Sequence, residues 1–372
     1  MGNGAVVRPH DESAAPDQSS ESRGRRMAVI LAGAWRPSPP SVQMSAEVLE
    51  DVTLGLLRSK TGALGWWRVR HSPLGASAAG RQLRNAYYQH GVRVAVHASS
   101  LTRIVTRLRA GGVEPVLVKG PAVGRLYPDR ALRPFEDLDL CVRPDQHDVA
   151  SAIVADGVDE LSHIDLHRGF TELHPCSWDE VYARSQLVTF GGIDVRILAA
   201  EDHLQFVCLH LLRHGVPSPL ALCDVGAILE SRPERFNWDR VLGADRRRAD
   251  WVACTIGMAH QLLGAIVDGT PVADRAERLP RWLVPSVLEG WGKQCPVDYR
   301  PPELFPDVFG LLARAPETIR RYWPSPVAAT VHLRRRFSNY PRMPIQIVDA
   351  CARLARFSVR RLLGQRPDPD HV

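Results

Sequence analysis

The sequence predicts an α/β chain of the α+β kind. A few short strands over residues 113–200 lie between an N-terminal helical segment (44–112) and a larger C-terminal helical lobe (201–330). Three observations carry this expectation. Apolar residues recur at helical spacing from Ser45 to Ala110 and again beyond Glu201. Between those stretches stand short apolar runs of strand length, such as Val116-Leu117-Val118 and Leu138 to Val142, bounded by Gly and Pro. The chain has 372 residues, 45% of them apolar, which is more than one ordinary domain and enough for a sizeable core.

Taken in order, residues 1–43 read as a disordered tail and a Pro-rich spacer. Met1 to about Arg26 is polar and rich in Ser, Gly, Asp and Arg, and Arg36-Pro37-Ser38-Pro39-Pro40 is stiff and non-helical. Arg25-Arg26 ahead of the apolar run Met27–Trp35 imitates a short signal-peptide core, with Ala32-Gly33-Ala34 as a cleavage site. An overlong start, with Met27 or Met44 the true one, explains the same residues, and a cytoplasmic location is the expectation. Ser45, followed by Glu47, opens the first helix as its N-cap. Gln82–Ala110 forms one or two helices with Ile104, Val105 and Leu108 inward, ended by Gly111-Gly112.

Val116-Leu117-Val118 is then a buried strand, Gly120 a tight turn, and Pro121 a first helical residue, where its missing N–H costs little. Glu136–Val142 is a strand with Leu138, Leu140 and Val142 toward the core and Asp137, Asp139 and Cys141 toward a cleft. Pro144–Ala155 is helical, His163–Gly169 a strand, and Leu187–Phe190 with Ile193–Ile197 a hairpin about Gly191-Gly192. There is no internal repeat.

The net charge of +6 comes from one place. Between Arg334 and Val372 nine arginines face three acids, so residues 331–372, a basic helix and tail, account for the whole excess. A basic stripe across the folded body, which tracking a phosphate backbone requires, is not indicated. In the helix Met343–Leu363, Ile347, Val348, Cys351, Leu354 and Ala355 form an apolar side, interspersed with Arg353, Arg356, Arg360 and Arg361. Such a helix either docks on its own domain or meets RNA, an acidic partner or a membrane surface. No apolar run approaches the roughly 20 residues of a membrane span. Seven scattered cysteines without CxxC spacing fit reduced thiols rather than a disulfide framework.

The chemistry concentrates in one short unit. Asp137 and Asp139, two apart on a strand, point the same way with Cα atoms about 6.5 Å apart. Carboxylates so placed can share divalent cations, the arrangement that drives in-line displacement at phosphorus. Just upstream, Lys119-Gly120 supplies a compact ammonium and a turn whose backbone N–H groups suit phosphate. The chain has three lysines (Lys60, Lys119, Lys293) against forty-four arginines, so a lysine beside that turn is not background usage.

The string Leu117-Val118-Lys119-Gly120, Leu126-Tyr127-Pro128, Leu132-Arg133-Pro134-Phe135 and Asp137-Leu138-Asp139-Leu140 resembles the uncharacterised nucleotidyltransferase family, part of the polymerase-β-like superfamily of minimal nucleotidyltransferases. Ile164-Asp165-Leu166-His167 resembles its later strand. Val195 to Leu204, Cys208 to His214, Asp224 and Asn237 to Val241 resemble its helical half. The resemblance spans roughly Leu101 to Leu263. It implies a small mixed-sheet nucleotidyltransferase core and a transferase that uses an NTP with Mg²⁺ or Mn²⁺. Asp137, Asp139 and Asp165 would be its catalytic metal ligands, and Lys119, Gly120 and Arg133 its nucleotide contacts. Asp165 read without it is equally a salt-bridged strand residue, and Arg133 either clamps a phosphate or pairs with Glu136. Tyr127 is expected to pack behind the Gly turn.

On the substrate side, His167 shares a strand face with Asp165 and suits a general base. His210 and His214, at i and i+4, line a cleft. The histidines also support a rival reading as a zinc hydrolase, through His210/His214 or through His163, His167, His174 and Cys176. A phosphotransferase on the same fold and a non-catalytic nucleotide- or peptide-binding accessory protein complete the alternatives. The acceptor (small molecule, peptide, protein or RNA end), the base and the oligomeric state are not legible.

Overall fold

The architecture, described by a computed structural model for residues 19–156, 163–293 and 323–362, is one mixed sheet with helices over both faces. Four helices precede the sheet: α1 (Ser20–Leu31), α2 (Ala46–Arg58), α3 (Gly62–Val69) and the 33-residue α4 (Ala78–Ala110). Ser45 caps α2 by accepting from the Val48 N–H, and Gly111 closes α4.

Strand β1 (Val116–Leu117) leads through Gly120 into the short α5 (Pro121–Gly124), and β2 (Asp137–Val142) follows. Next come α6 (His147–Asp156), β3 (His163–Arg168), α7 (Trp178–Arg184), and the hairpin of β4 (Gln186–Phe190) and β5 (Ile193–Ile197) about Gly191-Gly192. The strand order is β3-β2-β1-β5-β4, with β2/β3 and β1/β5 parallel and the other pairs antiparallel. The helical lobe comprises α8 (Ala200–Arg213), α9 (Pro219–Glu230), α10 (Trp238–Leu242), α11 (Arg246–Leu263), α12 (Ala273–Glu277), α13 (Leu283–Gly292), α14 (Pro326–His332) and α15 (Met343–Leu362).

Strand alternation divides the sheet between two cores. Leu117, Leu138, Leu140, Val142, Val195 and Ile197 pack with Leu101, Ile104, Val105 and Leu108 of α4 and Ala150 of α6. The opposite face, carrying Val116, Val118 and Cys141, joins the large core shared by the N-terminal helices and the helical lobe. Cys141 is therefore buried rather than cleft-facing, because the lobe closes over that end of β2. Asp137 and Asp139 lie further along the same face.

A second expectation is corrected at the N-terminal end. The reading of Met1 to Arg26 as disordered fails from Ser20 onward, since α1 begins there under the cap of Ser19. It lies against α13 at glycines: a Cβ on Gly24 would stand 1.9 Å from the Leu288 carbonyl oxygen, and one on Gly292 would stand 1.6 Å from that of Ser20. Met27, Ile30 and Leu31 are thereby buried, each contributing about 2 kcal/mol of apolar burial. Arg36 of the spacer is also anchored, through paired bonds to Glu230 at 2.6 and 2.8 Å.

For α15 the sequence left a docked and an open apolar side as alternatives. Ile347, Val348 and Cys351 are exposed, and the fully buried side chain is Asp349, held by Arg353 at 2.9 Å beside His332. An ion-pair anchor outranks apolar spacing there. Leu354 and the Arg360 and Arg361 side chains lie outside the described residues, as does Cys295. Among the described residues the cysteines are free, and no helix is long and apolar enough to cross a membrane.

Candidate active site

Register brings the acids together. β2 and β3 run parallel with Asp139 opposite Asp165, and Asp137 opposite His163. Directly paired residues project from the same face, so the Asp139 and Asp165 carboxylates stand about one strand spacing apart, near 4.8 Å. His167, two residues beyond Asp165, shares that face. Its Nε2 lies 3.3 Å from Asp139 Oδ1 and 3.3 Å from Asp165 Oδ2. Among the described residues these three form the one group of acid, His or Cys side chains whose ligand atoms all lie within 4.8 Å of one another. Asp137, one pleat away, stands outside that group, so His167 enters where the two-apart aspartate was expected.

Lys119 arrives from β1. The Val118 N–H donates to the Asp139 carbonyl at 3.2 Å, which ends the strand beside the acid. Gly120 turns the chain away with φ +57°, a conformation that only glycine adopts without strain, and Pro121 starts α5. The Lys119 ammonium then donates to Asp139 Oδ1 at 2.6 Å. Its other neighbour is His210 of α8, whose Nε2 is 3.2 Å away. His210 Nδ1 lies 3.2 Å from Glu172 Oε1, and the Glu172 carboxylate is also approached by Arg213 at 3.5 Å.

One tautomer satisfies this chain. Neutral His210 accepts the Lys119 proton donor on Nε2 and donates its Nδ1–H to Glu172. A continuous line of polar contacts runs Glu172–His210–Lys119–Asp139–His167–Asp165. The His214 ring lies beside the line, its centroid 4.7 Å from that of His210.

Burial and neighbours set the protonation states. Burial would raise the Asp139 carboxyl, but the bond to His167 and the charge of Lys119 overcome it and hold Asp139 far below the usual range. Asp165 is lowered by its contact with His167. Asp137 is raised, chiefly by desolvation and then by the charge on Asp139. Burial would lower the His167 imidazole, yet the two carboxylates lift it to about 10. An imidazolium clamped between acids is not the free general base expected of His167. Burial lowers His210 and takes His214 down to about 3, consistent with neutral rings. Glu172, which burial would raise, is held at about 2 by its bond from His210.

Arg133 requires a correction. It does not pair with Glu136, whose partners are Lys60 at 2.5 Å and Arg93 at 3.9 Å. Its guanidinium donates to Asp224 at 2.7 and 3.2 Å, and the Tyr127 hydroxyl donates to the same carboxylate at 2.8 Å. Desolvation opposes the Arg133 charge, but Asp224 holds it. These donors are spent within the fold behind the Gly turn, where Tyr127 also packs as expected, so the clamp reading loses its support.

The zinc reading finds no group of ligand spacing that includes His210 or His214 among the described residues, and the His210 ring nitrogens face Lys119 and Glu172 instead. His163, His174 and Cys176 join no group of ligand spacing among the described residues. Two residues escaped sequence reasoning. Glu172 sits in the turn Thr171–Leu173, where an acid gives no sign of a partner on α8. Asp224 lies mid-helix in α9 and had only its place in the resemblance to mark it.

The profile of a family described as "Uncharacterised nucleotidyltransferase" matches residues 62–264, which contain every residue of the site. Neither the curated proteins nor the solved structures provide a match.

Proposed function

We propose, from the premise that this chain belongs to the uncharacterised nucleotidyltransferase family, that it moves a nucleotidyl group from an NTP to a hydroxyl or phosphate acceptor with the help of a divalent cation. The observation that carries this reading is the convergence of Lys119, Asp139, Asp165 and His167 on one face of the sheet, linked in sequence by contacts of 2.6 Å (Lys119–Asp139) and 3.3 Å (Asp139–His167 and His167–Asp165). The donor set fits a metal. Three carboxylates, Asp137, Asp139 and Asp165, face two cations, Lys119 and His167, which leaves negative charge for a further cation to neutralise.

Asp139 and Asp165, with Asp137 beside them, would hold Mg²⁺ or Mn²⁺. When bound, the ion supplies charge neutralisation for the triphosphate and makes an acceptor hydroxyl more acidic. Lys119, held between Asp139 and His210, presents its ammonium to the phosphate oxygens, and the Gly120 turn lets backbone approach them. Asp165, the more exposed of the paired carboxylates, takes the proton of the acceptor hydroxyl. The acceptor oxygen bonds to the α-phosphorus, the bond from that phosphorus to the bridging oxygen breaks, and pyrophosphate leaves.

Calorimetric titration of each NTP with Mg²⁺ into wild type and an Asp137→Ala/Asp139→Ala double variant tests the reading. Metal-dependent binding of one NTP by wild type and none by the variant upholds it. Equal, metal-independent binding by both, or none by either, removes the carboxylates from any nucleotide site and leaves the accessory-protein alternative. Release of a nucleoside diphosphate in place of pyrophosphate would assign phosphoryl transfer.

A further inference from the structure

We infer that His167 is itself a ligand of the divalent ion, giving this centre one nitrogen among its carboxylate oxygens and a preference for Mn²⁺ over Mg²⁺. The inference rests on the transferase reading above and deepens it. An octahedral ion with bonds of about 2.1 Å spaces neighbouring donors about 3 Å apart. His167 Nε2 stands 3.3 Å from Asp139 Oδ1 and 3.3 Å from Asp165 Oδ2, so two such edges meet at the nitrogen. A single N–H cannot point along both edges, so one of the two carboxylate oxygens always receives a poor hydrogen bond. An ion held by the three atoms would take the place of that proton, which leaves to solvent as the ion binds, and would be served by all three at once.

The backbone makes this placement stable. Asp165 and His167 alternate on the same face of β3, and the parallel ladder sets them against Asp139 and Cys141 in turn. Cys141 is fully buried in the lobe core, which pins the strand behind His167. The ring therefore reaches the carboxylates without a change of register.

The chemical consequence follows from ligand type. Mg²⁺ is hard and favours an all-oxygen shell, whereas an imidazole nitrogen favours first-row transition ions over it, Mn²⁺ the least strongly of them. Asp137, outside the triangle, remains available to a second ion or to water in the shell of the first.

The test uses the whole protein and Mn²⁺ alone, without nucleotide. Electron spin echo envelope modulation of bound Mn²⁺ is expected to show coupling to a directly ligated ¹⁴N. That coupling is expected to vanish in His167→Gln and persist in His210→Gln, with Asp139→Asn abolishing the bound signal. Competition should show Mg²⁺ displacing Mn²⁺ at about tenfold lower concentration from His167→Gln than from wild type. Bound Mn²⁺ without ¹⁴N coupling, or with coupling that survives His167→Gln, overturns the inference and leaves an all-oxygen transferase centre intact. Failure of wild type to bind Mn²⁺ at all overturns both it and the metal-dependent reading of the site.

Discussion

Two lysine- or arginine-to-aspartate pairs lie close together, and they are built to opposite ends. Arg133–Asp224 and Lys119–Asp139 have similar lengths, 2.7 and 2.6 Å, and their carboxylates are equally buried, at 2% and 3% exposure. Asp224 receives a two-pronged guanidinium and the Tyr127 hydroxyl, a one-to-one charge balance with its lone pairs filled. At the other pair, Asp137, Asp139 and Asp165 put three acids against the cations Lys119 and His167, and Lys119 is shared with His210. Burial is the same in both; saturation is not. A filled pair is framework, and a cluster with spare negative charge is a place for something else to bind.

The sharpest way to break this comparison is Arg133→Ala. It strands a buried carboxylate and the Tyr127 hydroxyl, and is expected to cost about 3–5 kcal/mol of stability in urea unfolding. Lys119→Ala leaves Asp139 with His167 and should cost only about 1 kcal/mol. Equal losses from the two variants would show that the pairs are of one kind.

A pH effect of nearly that size sits in the framework. His203 is fully buried, and desolvation lowers it to about 4. The unfolded chain takes up that proton near pH 6.5 while the folded chain does not until about 4. Stability is therefore complete above pH 6.5 and declines as pH falls toward 4, by about 3 kcal/mol for this group. Unfolding midpoints measured between pH 7 and 4.5 should show the decline, and His203→Phe should flatten it.

The remaining effects concern function and shrink in order. Lys119→Ala should weaken metal-dependent NTP binding by about 1.5–3 kcal/mol, the worth of a charged hydrogen bond, measured calorimetrically. His210→Gln keeps the lysine but loosens its hold, and a loss of about 1 kcal/mol in the same titration is expected. Lys60→Ala removes an exposed pair with Glu136 and should change stability by less than about 1 kcal/mol.

Much of this arrangement was legible beforehand because it is local. The α2 cap at Ser45, the Gly120-Pro121 turn, the β4–β5 hairpin and the two-apart acids on β2 each depend on neighbours within a few residues. The early residues of α1 were unreadable for the opposite reason. Ser20 to Arg26 is polar and carries no apolar stripe, and it is helical because Gly24 admits the backbone of α13, more than 250 residues away. Which side of α15 turns inward was likewise beyond the sequence, since His332 and Arg353 draw Asp349 inward against the apolar pattern.

By itself, then, the sequence determined the family through its motifs, and the order of the five strands along the chain and which acids share a strand face through backbone periodicity and turn chemistry. Tertiary structure alone decided which partner each charged side chain takes. It sent Arg133 to Asp224, joined Glu172 through His210 to Lys119, and set His167 between Asp139 and Asp165. The physical reason is that an ion pair is fixed by distance in space and by exclusion of water, and neither quantity is written in the spacing of residues along the chain.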